Sequence, residues 1–400
     1  MHCFLPNINH MNTPSFSIND YSSLRYDVLA ELARLEALKH NPNPSEHKQI
    51  IRDVYQHKRE ARSAAEQRFI NRYWNVLLPF FAEGHEVRPE YIRPKLVPVE
   101  KSDSWEGNLF RFATLLWSVP VSRGYGRRFR YLVMDANNNK LMGLFALGDP
   151  VLNMRARDTE IGWTKSEKLQ KIYHVMDAYV LGAVPPYNDL LIGKFVALAA
   201  TTSDVRKRFR ERYAKTVGVI SQQDKKADLV LVTTTSALGR SSIFNRLRVS
   251  EGAYFQSIGF TLGYGHFHVS DALFERIRNW LRENKDSYAD NHQYGEGPNW
   301  RMRTLGKAFR KLGIEANSLN HGIKREIFIA PLAVNYREIL TGQSRRPIYQ
   351  TVSATQTFQH FRERWLLPRA ERVDSWKEWS HAKLLQKLNL DTEDVARGRK

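Results

Sequence analysis

Residues 174–200, HVMDAYVLGAVPPYNDLLIGKFVALAA, decide the fold class because their periodicity changes once, at two consecutive prolines. The first part, 174–184, is an apolar run typical of a buried strand. Proline cannot donate to a strand ladder, so the strand is expected to end at Pro185 and Pro186. From Asn188 the apolar residues recur at helical spacing, with Asn188 at the position of a helix N-cap. A strand followed closely by a buried helix predicts a mixed α/β (α+β) domain.

The segments on either side extend this domain. Upstream, RYLVMDANNNKLMGLFALGDP (130–150) contains two strand-like runs separated by turn-forming residues, which predicts a hairpin. Downstream, strand-like and helical patterns alternate, so we expect a central, mostly antiparallel sheet with flanking helices. The predicted elements are the hairpin strands 131–134 and 141–147, the extended runs 228–235, 254–269 and 327–334, and the helices 273–281 and 302–312.

The flanks of the chain are helical in pattern. Residues 1–15 are predicted to be a tail, and two long helices, one starting near Tyr21 and one over 45–81, predict an N-terminal helical hairpin. Pro89, Pro94 and Pro98 exclude a helix or an interior strand between them. Beyond Ser344 the pattern is that of amphipathic helix in a basic C-terminal region. The resulting division is 1–15, 16–100, 101–283 and 284–400.

Composition points to an anionic partner. Lys and Arg number 61 and Asp and Glu 42, a formal charge of +19. Such an excess attracts polyanions: nucleic acid, an anionic membrane surface or an acidic protein. We expect nucleic acid, most simply DNA, while an ordinary basic surface is the alternative.

Cysteine usage and hydropathy indicate a compartment. Cys3 is the single cysteine, which excludes an internal disulfide and a thiolate zinc cage and fits a reducing cytosol. No run of about eighteen apolar residues occurs, so membrane spanning is not expected. The sequence therefore predicts a cytoplasmic protein without a membrane partner.

Two basic segments are candidates for contact with nucleic acid. SRGYGRRFR (122–130) combines glycines, a tyrosine and arginines, residue types that suit phosphate contact and base stacking. The predicted helix 302–312 carries further cations. The alternative is a solvated basic loop and helix face. The candidate residues are Arg123, Arg127, Arg128, Arg130, Lys307, Arg310 and Lys311.

A polar segment, TTTSALGRSSIFNRL (233–247), follows a predicted buried strand and is expected to turn onto a helix. Ligands collect at the carboxyl ends of strands in open α/β sheets. The segment matches neither a phosphate-binding P-loop nor a hydrolase nucleophile elbow. At the Asn188 junction, with Lys194 in the helix that follows, a helix N-terminus beside a strand end is a natural anion site, and an ordinary strand-to-helix junction is the alternative there. The predicted ligand-binding residues are Tyr179, Asn188, Lys194, Ser236, Arg240, Asn245 and Arg246.

Candidates for proton transfer are fewer. In GYGHFHV (263–269) His266 and His268 would face one side of a strand, suited to proton transfer, or to a metal if His174 or Asp177 joined them. Two structural histidines are the alternative. Asp149, Asp158 and Glu160 suggest a magnesium nuclease, but Asp149 is followed by Pro150, which points first to turn chemistry. We therefore predict no metal, and name His266, Ser241 and Asp177 as catalytic candidates.

Four blocks within 106–283 resemble one family strongly: LMGLFALGDPVLNMRARDTEIGW, HVMDAYVLGAVPPYNDLLIGKFVALAA, LVTTTSALGRSSIFNRL and YFQSIGFTLGYGHFH. They resemble the DruA family of the Druantia bacterial anti-phage system. The resemblance implies a defence role beside other Druantia components, among them a large helicase-like protein. It supplies no catalytic residue to carry over, and the cofactor stays unknown.

A second resemblance concerns the fold. The order of hairpin, strand, helix and strand is similar to acetyltransferase-like (GNAT) domains, including the phage DNA-modifying Mom type. That resemblance implies that the helix N-terminus after the fourth strand receives the pyrophosphate of acetyl-CoA. Here Pro185, Pro186, Tyr187 and Asn188 stand where that family has a glycine-rich loop.

Overall fold

A computed structural model describes residues 18–39, 44–117, 119, 121, 126–213, 216–217, 224–225, 227–237, 241, 243–266, 268–286 and 298–388. Backbone contacts divide the chain into two compact units. The helical unit takes its described residues from Met1–Pro42 and Tyr264–His321. The sheet unit takes its described residues from Asn43–Gly263 and Gly322–Lys400.

The principal elements are named in chain order. The helices are α1 (Ile18–Lys39), α2 (Pro44–Leu77), α3 (Trp105–Ala113), α4 (Arg155–Ile161), α5 (Lys165–Lys171), α6 (Ile192–Ala199), α7 (Ser203–Tyr213), α8 (Asp271–Glu283), α9 (Pro298–Lys311), α10 (Tyr336–Leu340), α11 (Ala354–Phe361), α12 (Leu367–Ala370) and α13 (His381–Lys387). The strands are β1 (Pro94–Val99), β2 (Arg128–Asp135), β3 (Lys140–Gly148), β4 (Val175–Ala183), β5 (Leu231–Thr235), β6 (Gln256–Phe260) and β7 (Glu326–Pro331). None of the described helices is both long and apolar enough to cross a membrane.

The strands form one seven-stranded sheet in the order β1-β2-β3-β4-β5-β7-β6. Only the pair β4 and β5 is parallel; the other neighbours are antiparallel. Pro94 and Pro98 lie on β1, at the edge of the sheet. Proline has no N–H to donate, and an edge strand tolerates this because only one of its sides pairs with a neighbour. The sheet is therefore mixed and mostly antiparallel, as the sequence predicts.

Both faces of the sheet are covered. Every residue of helix α6 is buried, and the helix lies under one face, where Phe195 packs against Phe358 and Phe361 of α11. On the other face α2 and α3 pack together, with Trp74 against Phe112. Burial of this kind stabilises the fold by roughly 25 cal/mol per Å² of apolar surface.

The helical unit has its own core. Helix α8 starts at the Ser270 cap, whose hydroxyl accepts from the Leu273 N–H and donates to Glu31 of α1 at 2.6 Å. Leu24 and Val28 of α1 are buried with the apolar residues of α8 and α9. The two predicted N-terminal helices are both present, and they contribute to different cores, α1 to the helical unit and α2 to the sheet unit.

Several sequence predictions are confirmed. The predicted hairpin forms as β2 and β3, and the apolar run 174–184 forms β4. The run 228–235 contains β5, and 327–334 returns to the sheet as β7, between β5 and β6. Helix α8 covers the predicted span 273–281, and α9 covers the predicted span 302–312 except for its last residue.

Three local predictions are wrong. Helix α6 has Leu191, not Asn188, at its N-cap position, because 185–191 form turns first. Among the described residues of 236–250 there is no helix, only turns. The extended run ends at Phe260, and Gly263 (φ +73°) then turns the chain, so His266 and His268 do not share a strand.

Candidate ligand-binding cavity

The parallel strands β4 and β5 part after three register pairs, the last being Asp177 with Thr233. The Thr233 hydroxyl donates to the Asp177 carboxylate at 2.7 Å. One residue further along, the Thr234 hydroxyl donates to the Ala178 carbonyl at 2.8 Å. Beyond these bonds β4 continues to Ala183 without β5 at its side, and a cavity of about 560 Å³ lies there. Carboxyl ends of neighbouring parallel strands are common ligand sites.

An aromatic wall lies along β4. Trp117, which follows α3, packs so closely on Gly182 that a Cβ at this position would lie 2.9 Å from the indole Cζ2. Only glycine leaves room for this approach, which is a common reason for a glycine within a strand. Tyr179, half-buried on β4, also lines the cavity, and desolvation raises the pKa of its phenol. The cavity therefore has two aromatic side chains available for stacking.

The turn after β4 is fixed by a buried polar network. The Tyr187 hydroxyl donates to Asp135 Oδ2 at 3.2 Å, and Asn138 Nδ2 donates to the Tyr187 oxygen at 3.0 Å. Burial raises the pKa of both Asp135 and Tyr187. This network ties the turn to the β2–β3 hairpin and so positions the exposed Asn188 at the cavity.

Lys194 of α6 is almost buried and binds the turn that follows β5. Its Nζ donates to the carbonyl oxygens of Ile243 at 2.9 Å and Asn245 at 2.7 Å. Because these carbonyls accept from a lysine, they are not used in the helix that the sequence predicts here. Desolvation, with a smaller contribution from Arg364, lowers the pKa of Lys194 to about 8.

The end of β5 supplies hydroxyl groups. Thr234, Thr235, Ser236 and Ser241 line the cavity. The Ser236 N–H donates to the Glu326 carbonyl at 2.8 Å, and the Ser241 Oγ accepts from the Ile243 N–H at 3.2 Å. These bonds keep the hydroxyl-rich segment against the sheet.

Two further cations come from distant parts of the chain. Arg52 on α2 and Lys387 on α13 both line the cavity. Partial desolvation, with Arg59 nearby, lowers the pKa of Lys387. One α-helical turn beyond Arg59, Arg62 donates to the carbonyl of Val121, another lining residue, at 3.3 Å. Among the described residues, three cations line the cavity: Arg52, Lys194 and Lys387. The described lining contains no Asp or Glu.

The structure brings together five of the predicted site residues. Tyr179, Asn188, Lys194, Ser236 and Ser241 line the one cavity.

The other predicted site residues lie elsewhere. Asp177 is immediately before the lining residues, and burial raises the pKa of its carboxyl to about 6. Asn245 and the exposed Arg246 (φ +58°) are in the turn held by Lys194 and do not line the cavity. Arg240 is outside the described residues, and His266 belongs to the helical unit.

The residues predicted to contact nucleic acid have varied surroundings. Arg127 pairs with Asp149 at 2.7 Å and donates to the Tyr173 carbonyl. Arg128 is exposed, and Arg130 donates to the Ser102 hydroxyl at 3.1 Å. Arg123 is outside the described residues.

In the helical unit the predicted cations of α9 are close to one acid. Lys307 and Lys311 both pair with Asp286, at 3.1 and 3.3 Å, while Arg310 is exposed. These pairs leave less positive charge on α9 than its sequence indicates.

The carboxylates weighed as a nuclease site are engaged with basic side chains. Asp158 pairs with the buried Arg157 at 2.6 Å and with Lys168 at 2.9 Å, and Glu160 pairs with Arg337. No group of three His, Cys, Asp or Glu side chains suited to a metal occurs in the described part of the chain.

Sequence reasoning missed Arg52, Trp117 and Lys387. Arg52 and Lys387 lie 335 positions apart, and neither has a local motif. The one available signal was Gly182, since glycine inside a strand indicates close approach of another group, although it does not identify that group.

The fold and the cavity define a mixed α+β protein with a cation-lined cavity at a parallel strand pair. A family model described as Druantia protein DruA matches residues 45–342. The Druantia protein DruA of Escherichia coli (strain UMEA 4076-1) is 45% identical over 350 residues, which is 87% of this chain and 86% of that protein. The chain therefore belongs to the DruA family, and the resemblance drawn from the sequence blocks is confirmed. No solved structure matches it.

Proposed function

We propose that this chain serves anti-phage defence as a nucleic-acid-binding component of a Druantia system, with the cavity beside β4 holding part of the nucleic acid. The observation that carries the proposal is the charge of the cavity: Arg52, Lys194 and Lys387 line it, and its described lining has no carboxylate. Phosphate contacts supply most of the affinity of proteins for nucleic acid. DNA is the partner we propose, and the cytoplasm the compartment.

The distribution of charge supports the sheet unit as the binding unit. The stretches of the helical unit contain 12 Lys or Arg and 11 Asp or Glu, whereas those of the sheet unit contain 49 and 31. Nearly all of the formal excess therefore belongs to the sheet unit. A field of this sign attracts polyanions to the sheet unit.

The basic helix α7 is a weaker candidate than its sequence suggests. Arg208 and Arg212 both pair with Glu100, at 2.7 and 3.0 Å, and Arg206 lies over the ring of Tyr349. Cations already paired with acids release fewer counterions on binding. For this reason we assign the contact to the cavity and not to α7.

A group-transfer activity is the second candidate, and the parting of β4 and β5 favours it. The resemblance to acetyltransferase-like domains implies acetyl-CoA at the start of the helix after the fourth strand. Here that helix is α6, and Leu191 and Gly193 at its start line the cavity. Ser241 and Asp177 are the candidates for chemistry nearest the cavity. A rise in melting temperature with acetyl-CoA would support this function, and no change would remove it.

The third candidate is a non-enzymatic sensor that recruits another Druantia component, such as a helicase-like protein. The long α2 and the C-terminal helices offer surfaces for such a partner. Multiple-turnover modification of DNA by the purified chain would count against this role.

Binding of a single-stranded oligonucleotide across a salt series tests the main proposal. We expect log affinity to fall with log salt with a slope near −2, since each phosphate contact contributes about 0.7 on single strands. The double variant Arg52→Gln/Lys387→Gln should lose about 1.4 of that slope. Arg68→Gln/Lys383→Gln removes the same charge from the same two helices outside the cavity and should change it little. A slope near zero, or equal slopes for the two variants, would contradict the proposal.

A further inference from the structure

Cations at the cavity lie in two groups. Lys387 lines it with Arg59 close by, and Lys194 lines it with Arg364 close by. Arg52 adds a fifth cation, seven residues before Arg59 and therefore on the same face of α2.

One acid lies near these cations and is otherwise engaged. The carboxylate of Asp189 acts on Lys387 electrostatically, and its Oδ2 accepts from the Ser375 hydroxyl at 2.8 Å. Desolvation lowers the pKa values of both Lys194 and Lys387, which means that their charged forms are destabilised there. A bound anion would stabilise the charged forms and so offset the desolvation.

The cations of the cavity distinguish between two kinds of phosphate group. An internal phosphodiester carries one negative charge, whereas a phosphate monoester carries about 1.5 to 2 and offers three acceptor oxygens. The cavity has cations on two sides and no carboxylate in its described lining, so it suits the phosphate monoester, which has the larger negative charge. Lysine and arginine form their strongest hydrogen bonds to such oxygens.

The rest of the cavity suits the remainder of a nucleotide. Trp117 provides an indole and Tyr179 a phenol, on either of which a base can stack, and Thr235 and Ser236 provide hydroxyls. The volume of about 560 Å³ is within the roughly 300 to 1,000 Å³ typical of small-molecule sites. One nucleotide fits that space, and a duplex does not.

We infer that the cavity binds a nucleotide through a terminal phosphate monoester. The source is either the phosphorylated end of a nucleic-acid strand or a free nucleoside monophosphate. This inference rests on the proposed function and deepens it, because it states which part of the nucleic acid the cavity accepts.

The test compares matched oligonucleotides by fluorescence anisotropy with the full chain. One single-stranded DNA sequence is used with a 5′-phosphate, a 5′-hydroxyl, a 3′-phosphate and a 3′-hydroxyl, each labelled at the other end. We expect one phosphorylated end to bind at least about tenfold more tightly than its hydroxyl counterpart, as for hydrogen bonds to charged groups. Lys387→Gln should bring that ratio close to one, while Lys383→Gln, one turn earlier on α13, should preserve it.

Competition separates the two sources. If dAMP displaces the oligonucleotide but inorganic phosphate does not, the site accepts a free nucleotide; if only the phosphorylated end binds, the site reads strand ends. Both outcomes support the inference. Equal affinity for phosphate and hydroxyl ends at both termini, without competition by dAMP, overturns it. Salt-dependent binding in that case leaves the proposed function standing. Should Lys387→Gln fail to fold, Arg52→Gln with Arg68→Gln as its control gives the same comparison.

Discussion

The hydroxyl of Thr233 donates a 2.7 Å hydrogen bond to the carboxylate of Asp177, and these two residues form the last register pair of the parallel strands β4 and β5. The sheet divides at this pair, and the cavity follows it. A buried carboxylate at such a position costs stability when ionised. Burial raises its pKa to about 6 from an ordinary 3.8, against the smaller opposing effects of Thr233 and Arg157.

Asp177→Asn should therefore stabilise the protein above pH 6. Because the folded state binds the proton more tightly than the unfolded state, ionisation between about pH 4 and 6 lowers the free energy of unfolding. Asparagine avoids that loss, with an expected gain of about 1 to 3 kcal/mol at pH 7. Urea unfolding at several pH values measures it. The exposed Asp103→Asn serves as control, and an equal gain in both variants would contradict the account.

His174 should act with the opposite sign. Desolvation lowers its pKa to about 4 from 6.5, so the unfolded state binds the proton more tightly and stability falls as pH decreases from about 6.5 to 4. The change, up to about 3 kcal/mol, is best measured in the Asp177→Asn background, where the opposing titration is absent. His174→Asn, which retains a polar group near the Asp228 backbone, should flatten the profile. A profile as steep as that of the unaltered histidine would refute this assignment.

Gly182→Ala tests the aromatic wall. The added Cβ would lie 2.9 Å from Trp117 Cζ2, so the indole must shift. We expect nucleic-acid affinity to fall several-fold, with a loss of about 1 to 3 kcal/mol in stability from overpacking. Titration with the same oligonucleotide measures the affinity. Gly306→Ala on α9, where the added Cβ meets nothing within 4 Å, is the matched control and should leave affinity unchanged.

Binding should weaken above pH 8. The pKa of Lys194 is about 8, below its ordinary 10.5, so the free protein loses this positive charge as pH rises through that value. Losing one cation from the site is expected to cost up to about tenfold in affinity between pH 7 and 9. Lys194→Arg stays charged over this range and should bind with less pH dependence. An identical pH profile for the two proteins would show that Lys194 does not face the anion.

Local pattern was enough to predict most of the sheet. Strand β4 is an apolar run, and turn-forming residues lie between β2 and β3. Both patterns depend only on residues that are neighbours in sequence, so the sequence predicts them directly. The same logic failed after β5, where Lys194 binds the carbonyls of Ile243 and Asn245. This tertiary contact stands in place of the predicted helix. The contact joins residues about 50 positions apart, so the local sequence pattern does not predict it.

The site was predictable in part for the same reason. Ser236 and Ser241 were found because polar residues at a strand end have a general meaning. Arg52 and Lys387 were not, because each is an ordinary basic residue of a helix until the fold brings both to one cavity. Charge counted along the chain likewise gave no indication that Glu100 pairs with two arginines of α7 and Asp286 with two lysines of α9.

Photochemical cross-linking tests most directly whether the cavity holds nucleic acid. Oligonucleotides with 5-iodouracil at each position in turn are irradiated with the full chain, and the cross-linked residues are identified by mass spectrometry. We predict cross-links to Trp117 or Tyr179, lost on adding excess unlabelled strand. Cross-links confined to the helical unit, or to α7, would contradict the central claim.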